Sequence, residues 1–325
     1  MPPDGATESG DQPGGGELFD TTRIRGVIPA MVTPITFAGE PDEAGLRSLV
    51  QHLVGQGVNG IFALGSSGEF PLLTPSDRAR VAEIVADEVG GRIPVLVGAS
   101  DSGTRQVIQH ARAAAAGGAD VAVVLPPYYI TPTESEVARH FSLVLDASPI
   151  PILLYNNPAS ARVTMSVALV RELAQHENAA GIKDSSGDFA AFRRLIMAFR
   201  GGGRFRVVQG HEGMAALSFF LGAHAGHQGL ANVAPRLFLD MYAAATTGDL
   251  ETALQLQAKA DSLAAMWEVA GPTDSSYLGS MKTALEMMGV CGPHLAPPLT
   301  PLTPAEAARV RGILLEHGLL AATPA

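Results

Sequence analysis

Only three lysines occur among the 325 residues, and one of them, Lys183, ends the apolar run Ala179-Ala180-Gly181-Ile182 just before the small polar stretch Asp184-Ser185-Ser186-Gly187. An ammonium at the end of a buried strand is costly unless it is paired or neutralised. Desolvation of that kind lowers an amine's pKa and makes it a nucleophile toward a ketone. The alternative is a structural lysine paired with Asp184 or with a carboxylate on the next strand. Two further apolar runs end in phenols, Pro126-Pro127-Tyr128-Tyr129 and Leu153-Leu154-Tyr155-Asn156-Asn157-Pro158. Phenols beside an amine serve as proton carriers, because a neighbouring cation favours the phenolate. Taken singly, either tyrosine reads as an amphipathic packing residue. Another run leads into Gly65-Ser66-Ser67-Gly68-Glu69-Phe70. Its hydroxyls and backbone N–H groups can hold a carboxylate without a cationic side chain, although Gly and Ser also make plain turns.

Positioning such groups together requires strands that end at one face. From Arg25 onward the chain alternates short apolar runs with longer helical patterns. Residues 27–32, 60–64, 94–97, 121–125, 151–155, 180–183, 205–209 and 227–231 read as strands. Each is nearly continuously apolar rather than alternating, as expected of parallel strands covered on both faces. Eight βα units predict an α/β fold, a (β/α)8 TIM barrel over residues 23–247, in which reacting groups stand at the carboxyl ends of the strands. Thr74-Pro75-Ser76-Asp77, Thr131-Pro132-Thr133-Glu134 and Thr303-Pro304-Ala305-Glu306 share one helix-start device, a Thr cap followed by Pro and a carboxylate. After a helix beginning at Pro235, residues 249–269, 277–288 and 304–317 read as three helices without intervening strands, which predicts a small C-terminal three-helix appendage over 248–325.

Composition narrows the class. With 46% hydrophobic and 17% charged residues the chain can bury a large core. A net charge of -10 and a pI near 5.3 leave no basic stripe for nucleic acid or an anionic membrane. Cys291 is the single cysteine, so no intrachain disulfide forms; that fits a reducing cytoplasm, and no apolar run is long enough to span a membrane. Residues 1–22, with Gly14-Gly15-Gly16 and no hydrophobic segment, read as a disordered tail without a signal peptide. The nine histidines contain no His-Glu-x-x-His pattern, and His224 and His227 read as packing residues, so no metal is expected. His211 and Glu212 follow the seventh strand without an assignable role. A lysine-linked pyridoxal phosphate would need a phosphate cup, for which Gly210-His211-Glu212-Gly213 is a poor candidate, and no cofactor is expected.

Taken in order, these stretches resemble the dihydrodipicolinate synthase / N-acetylneuraminate lyase family of class I pyruvate-dependent aldolases. The resemblance runs from Gly26-Val27-Ile28-Pro29-Ala30-Met31-Val32-Thr33-Pro34 through the Gly65 to Glu69 loop, Pro127-Tyr128-Tyr129, Tyr155-Asn156, Gly181-Ile182-Lys183 and Ala231-Asn232-Val233 to Lys282-Thr283-Ala284-Leu285. It implies that Lys183 forms a Schiff base with pyruvate or another 2-oxo acid and that Tyr155 shuttles protons. Ser66 and Ser67, in the turn opened by Gly65, would hold the pyruvyl carboxylate and link Tyr155 to Tyr129, which in this family reaches in from a neighbouring subunit. The backbone carbonyl at His227 would lie near the pyruvyl group. A homotetramer built as a dimer of dimers is implied, with a 2-oxo acid and an aldehyde as small-molecule partners.

The branch within the family is set by departures from its pattern. Dihydrodipicolinate synthases carry an arginine five residues after the strand-five tyrosine, where this chain has Ser160. A hydroxyl cannot replace a bidentate guanidinium in carboxylate binding. Arg162 stands where a glycine is usual and would restore a charge from another angle. The segments Gly65 to Leu72 and Lys183 to Asp188 are more similar to those of the 4-hydroxy-2-oxoglutarate aldolase and keto-deoxy-sugar-acid branches. The expectation is a lysine Schiff-base aldolase or lyase on a 2-oxo acid, with 4-hydroxy-tetrahydrodipicolinate synthesis as one alternative. A non-catalytic barrel with a binding or regulatory role is the other.

Overall fold

The computed structural model describes residues 19–321; most of the segment read from sequence as a tail lies outside them. Within that segment, Thr21–Arg23 forms a 3-10 turn capped by Asp20, and the Thr21 hydroxyl is buried against the Arg204 carbonyl at 2.6 Å.

Eight parallel strands are hydrogen-bonded in the order β1-β8-β7-β6-β5-β4-β3-β2. They are β1 (Gly26–Val27), β2 (Ile61–Ala63), β3 (Val95–Gly98), β4 (Val121–Val124), β5 (Ile152–Asn156), β6 (Ala179–Asp184), β7 (Arg206–Gln209) and β8 (Ala225–Gly226). A parallel bridge between Ala30 and Phe62 joins the chain after β1 to β2, so the sheet curls into a barrel. Every strand residue is buried, as in a parallel sheet covered by helices outside and packed side chains within.

Two strands differ from the sequence expectation. The first is regular only over Gly26–Val27, although Ile28 and Ala30 still bond across to the carbonyls of Gly226 and Gln228; Pro29 faces β2 instead, its carbonyl accepting from Phe62 N–H with no N–H of its own to give. The eighth is Ala225–Gly226, not 227–231: His227 makes one more bond to Gln209, and the chain then turns into the 3-10 segment Leu230–Asn232. Asn232 holds that turn in place, its amide donating to the carbonyls of Ala30 and Gly229 and accepting from Val32 N.

Helix starts follow the capping signals. Thr74 and Thr303 form capping boxes with Asp77 and Glu306. The middle start lies two residues later than expected, because Thr133 and Glu136 themselves form a box and outcompete Thr131-Pro132. After the helix Pro235–Thr246, the appendage comprises Leu250–Leu263, Asp274–Met287 and Pro304–Glu316, with a 3-10 segment Ala264–Glu268 between the first two. Cys291 is a free thiol. Among the described residues no helix is long and apolar enough to cross a membrane.

Candidate active site

The register of β5 and β6 places Tyr155 opposite Lys183 and Asn156 opposite Asp184. Alternate residues of a strand face opposite sides of the sheet, so Lys183 and Tyr155 enter the barrel while Asn156 and Asp184 point outward. This separation excludes the structural alternative for the lysine. Asp184 is occupied by the Asn156 amide at 2.6 Å and by the N–H and hydroxyl of Ser186 at 3.0 and 2.7 Å. Among the described residues no carboxylate lies within ion-pair distance of Lys183. Its Nζ stands 4.2 Å from the centre of the Tyr155 ring and 4.7 Å from that of Phe62, where two π faces take the place of solvent. Lys183 and Tyr155 are 3% and 4% exposed, so little water competes at their heads. Gly210 of the next loop makes room for the amine: a Cβ there would fall 2.7 Å from Lys183 Cε and 2.1 Å from Ser185 Oγ.

The phenol is tuned by its neighbours. Its oxygen accepts from the amide of Asn157 at 3.3 Å and from the Ser185 hydroxyl at 3.4 Å. Burial alone would push the Tyr155 pKa up; the Lys183 charge and hydrogen bonds from Ser185, Ser66 and Lys183 outweigh it and hold the pKa below the usual phenol value. The same Asn157 amide donates to Ser160 Oγ at 3.1 Å, coupling Ser160 to the phenol. Asn157 and Ser185 were quoted in the sequence motifs without a role, because a hydrogen bond to the phenol oxygen depends on rotamers that spacing does not specify.

The Gly65 to Phe70 turn closes over this end of the barrel. Ser66 is exposed into a cavity of about 450 Å³ that Ser160, Tyr128, Asp274 and Tyr277 also line. Ser67 is buried, with its hydroxyl 2.9 Å from that of Tyr277. Glu69, left-handed at φ 55°, anchors the turn to the appendage. It pairs at 2.5 Å with Lys282, both side chains fully buried, and accepts from Ala296 N at 2.7 Å. Lys282 also donates to the His294 carbonyl at 2.6 Å. Thus two distant motifs of the sequence, Gly-Ser-Ser-Gly-Glu and Lys-Thr-Ala-Leu, form one tether that carries Tyr277 to the barrel mouth.

Tyr277 and Glu212 were not selected from sequence. Glu212 Oε1 accepts from the N–H groups of Gly229 and Leu230. Burial raises its pKa against those bonds and against the Lys183 charge. Tyr277 is also raised, by burial first and then by the Glu212 charge, so its phenol keeps its proton. The two meet at Gly229, where a Cβ would fall 2.3 Å from the Tyr277 hydroxyl and 3.2 Å from Glu212 Oε1. Only the fold reveals this convergence, since Tyr277 reaches the mouth from a helix outside the barrel.

The remaining expected residues divide. His227 is buried with its ring 5.2 Å from Phe62, neither ring nitrogen bonded; burial and then Lys183 hold its pKa well below the usual histidine value, so the imidazole is neutral. Arg162 is exposed, left-handed at φ 56° at the end of the short helix Pro158–Ala161, and absent from the lining of the Ser66 cavity. Its left-handed backbone explains why glycine suits this position. Tyr129 is 88% exposed and takes no part in its own chain's site. Among the described residues no cluster of three or more His, Cys, Asp or Glu has metal-binding geometry.

Comparison with known proteins agrees with this arrangement. The chain is 36% identical to a 4-hydroxy-tetrahydrodipicolinate synthase of Acidiphilium cryptum over 300 residues, 92% of this chain and all of that protein. The structure of dihydrodipicolinate synthase from Bacteroides thetaiotaomicron superposes with a TM-score of 0.86 at 33% identity, covering 90% of this chain and 98% of that one. YagE, a prophage protein of the dihydrodipicolinic acid synthase family from E. coli K12 solved in complex with pyruvate, gives 0.85 at 30% identity, covering 91% and 99%. The model of the dihydrodipicolinate synthetase family matches residues 23–317, and the chain belongs to that family.

Proposed function

We propose that the protein is a lysine Schiff-base aldolase or lyase that makes or breaks a carbon–carbon bond next to the carbonyl of pyruvate or another 2-oxo acid. The observation that carries this reading is an amine with no carboxylate partner, 4.2 Å from the ring of a phenol whose pKa is lowered. Lys183 Nζ adds to the ketone carbon, and Tyr155 carries protons to and from the carbinolamine oxygen, which leaves as water. The iminium so formed withdraws electrons from the adjacent carbon. Loss of a proton there gives an enamine that attacks an aldehyde; in reverse, the aldehyde departs and the enamine is protonated. Ser66 and Ser67 hold the 2-oxo acid's carboxylate, with the phenol of Tyr277 donating to Ser67 so that the serine proton is free for the substrate. No step calls on a metal or an organic cofactor. Tyr129, exposed in its own chain, fits a role in a neighbour's site within a cytoplasmic homotetramer.

The identity of the second substrate turns on Ser160. The named function of the relatives favours 4-hydroxy-tetrahydrodipicolinate synthesis as a second reading. Against it, the cavity above Ser66 is lined by apolar side chains, the hydroxyls of Ser66, Ser160, Tyr128 and Tyr277, and the acidic residues Glu69 and Asp274, with no guanidinium. A carboxylate without a charged partner there loses several kcal/mol of binding. Aspartate semialdehyde is therefore expected to be at least ~100-fold poorer in kcat/KM than the best aldehyde. A screen of aldehydes for pyruvate consumption, with 2-oxo acids screened for pyruvate release, tests both readings. Efficient use of aspartate semialdehyde would assign the chain to the synthase, and Lys183→Arg is expected to abolish every productive reaction.

A further inference from the structure

A second cavity, of about 770 Å³, lies at the opposite end of the barrel from Lys183. Its walls are residues that precede or begin strands: Arg25 before β1, Asn59 before β2, Arg206 at the start of β7 and His224 before β8. Such a volume suits a small molecule.

The charge around it inverts that of the chain. Acidic residues outnumber basic ones 32 to 22 overall, yet four arginines, Arg23, Arg25, Arg92 and Arg206, face this cavity with one carboxylate, Asp20. Asp20 is already engaged as the cap of Thr21–Arg23, accepting from the N–H and hydroxyl of Thr22 at 2.9 and 2.7 Å. Arg92 is engaged as well, donating to the carbonyls of Val89 and Glu88 at the end of the helix Pro75–Val89. Arg23, Arg25 and Arg206 have no carboxylate within ion-pair distance among the described residues.

Exposed arginines on a rim need no explanation, but Arg206 is only 8% exposed. Its Nε donates to the Thr21 carbonyl at 3.1 Å, its terminal nitrogens have no hydrogen-bond partner among the described residues, and its side chain lines the cavity. Burial lowers its pKa, Asp20 and Tyr242 oppose that, and Arg25 adds to it. A buried guanidinium facing a like charge, with Asp20 beyond ion-pair distance and already engaged with Thr22, costs free energy that hydrophobic replacement would avoid. An anion seated against it removes that cost and gains charge-assisted, bidentate hydrogen bonds.

We propose that this cavity binds a small organic anion carrying at least two phosphate or carboxylate groups, held between Arg25 and Arg206 at a site separate from Lys183. Titration calorimetry of the full chain with pyrophosphate and, in parallel, with citrate tests it, at low salt and at physiological ionic strength. Saturable binding of one anion per chain by at least one probe is expected, and the stronger probe identifies the group as phosphate or carboxylate. Arg206→Gln is expected to weaken it by at least ~10-fold, as loss of a charge-assisted bond does. Arg25→Gln, at an exposed position that does not threaten folding, is expected to weaken it similarly, whereas Lys183→Ala leaves it unchanged. Absence of saturable binding with both probes, affinity unchanged from wild type in either arginine variant, or loss of binding in Lys183→Ala would overturn the proposal.

Discussion

Replacing Tyr277 by Phe removes one oxygen from the mouth of the barrel and leaves the ring in place. That oxygen stands 2.9 Å from Ser67 Oγ, and burial together with the Glu212 charge keeps its proton on. In the proposed reaction the protonated phenol donates to Ser67 and leaves the serine's own proton for the substrate's carboxylate. A neutral hydrogen bond of this kind is worth about 0.5–1.5 kcal/mol, so KM for pyruvate should rise roughly 2- to 12-fold in Tyr277→Phe. The proposed steps at the ketone carbon use Lys183 and Tyr155, so kcat should stay within about twofold when the lost contact serves binding alone. Ser67→Ala should cost at least as much, and the double variant no more than Ser67→Ala alone, because both deletions remove the same contact. Steady-state kinetics of the three variants decide the matter. Additive losses, or a fall in kcat at unchanged KM, would refute a Tyr277 that acts through Ser67.

Three further outcomes follow from the same geometry. Lys282→Met leaves the Glu69 carboxylate buried without its cation and should cost about 3–5 kcal/mol in urea unfolding, with part regained in Lys282→Met/Glu69→Gln; a loss under about 1 kcal/mol would contradict the tether. Burial holds the pKa values of His52, His110, His140, His224 and His227 below the usual histidine value, that of His140 down to about 4. The unfolded chain therefore binds more protons below pH 6.5, and stability should fall as pH drops from 7 toward 5, by about 1.4 kcal/mol per pH unit for each fully depressed histidine; a melting temperature that is flat or rising over that range would count against these burials. If Tyr129 serves a neighbour, inactive Lys183→Ala and Tyr129→Phe subunits should regain up to about a quarter of wild-type activity after subunit exchange, from random pairing across a two-fold interface; no regain despite exchange confirmed by mass spectrometry would confine Tyr129 to its own subunit or to no site.

How far the sequence foretells this structure depends on the range of the contacts. The barrel was legible because most strands are nearly continuous apolar runs and several helices open on a local capping signal. The misplaced eighth strand shows the limit: His227-Gln228-Gly229-Leu230-Ala231 stands at the spacing expected of a strand, yet the chain turns at Leu230–Asn232, where Asn232 is clasped to Ala30 and Val32. Lys183 and Tyr155 were legible because strand ends converge in this fold. Tyr277 and Glu212 were not, since their convergence at Gly229 depends on where the appendage packs. Lys282 was visible as part of a motif, but its partner Glu69 lies more than two hundred residues earlier, and no spacing rule joins them.

The central claim is that the amine of Lys183 condenses with a 2-oxo acid. Borohydride reduction in the presence of pyruvate, followed by proteolysis and mass spectrometry, tests it most directly. The account predicts a reduced pyruvyl adduct on the peptide that contains Lys183, absent when pyruvate is omitted and absent in Lys183→Arg, since arginine keeps the charge but forms no iminium. An adduct on Lys259 or Lys282, or none at all, would contradict it.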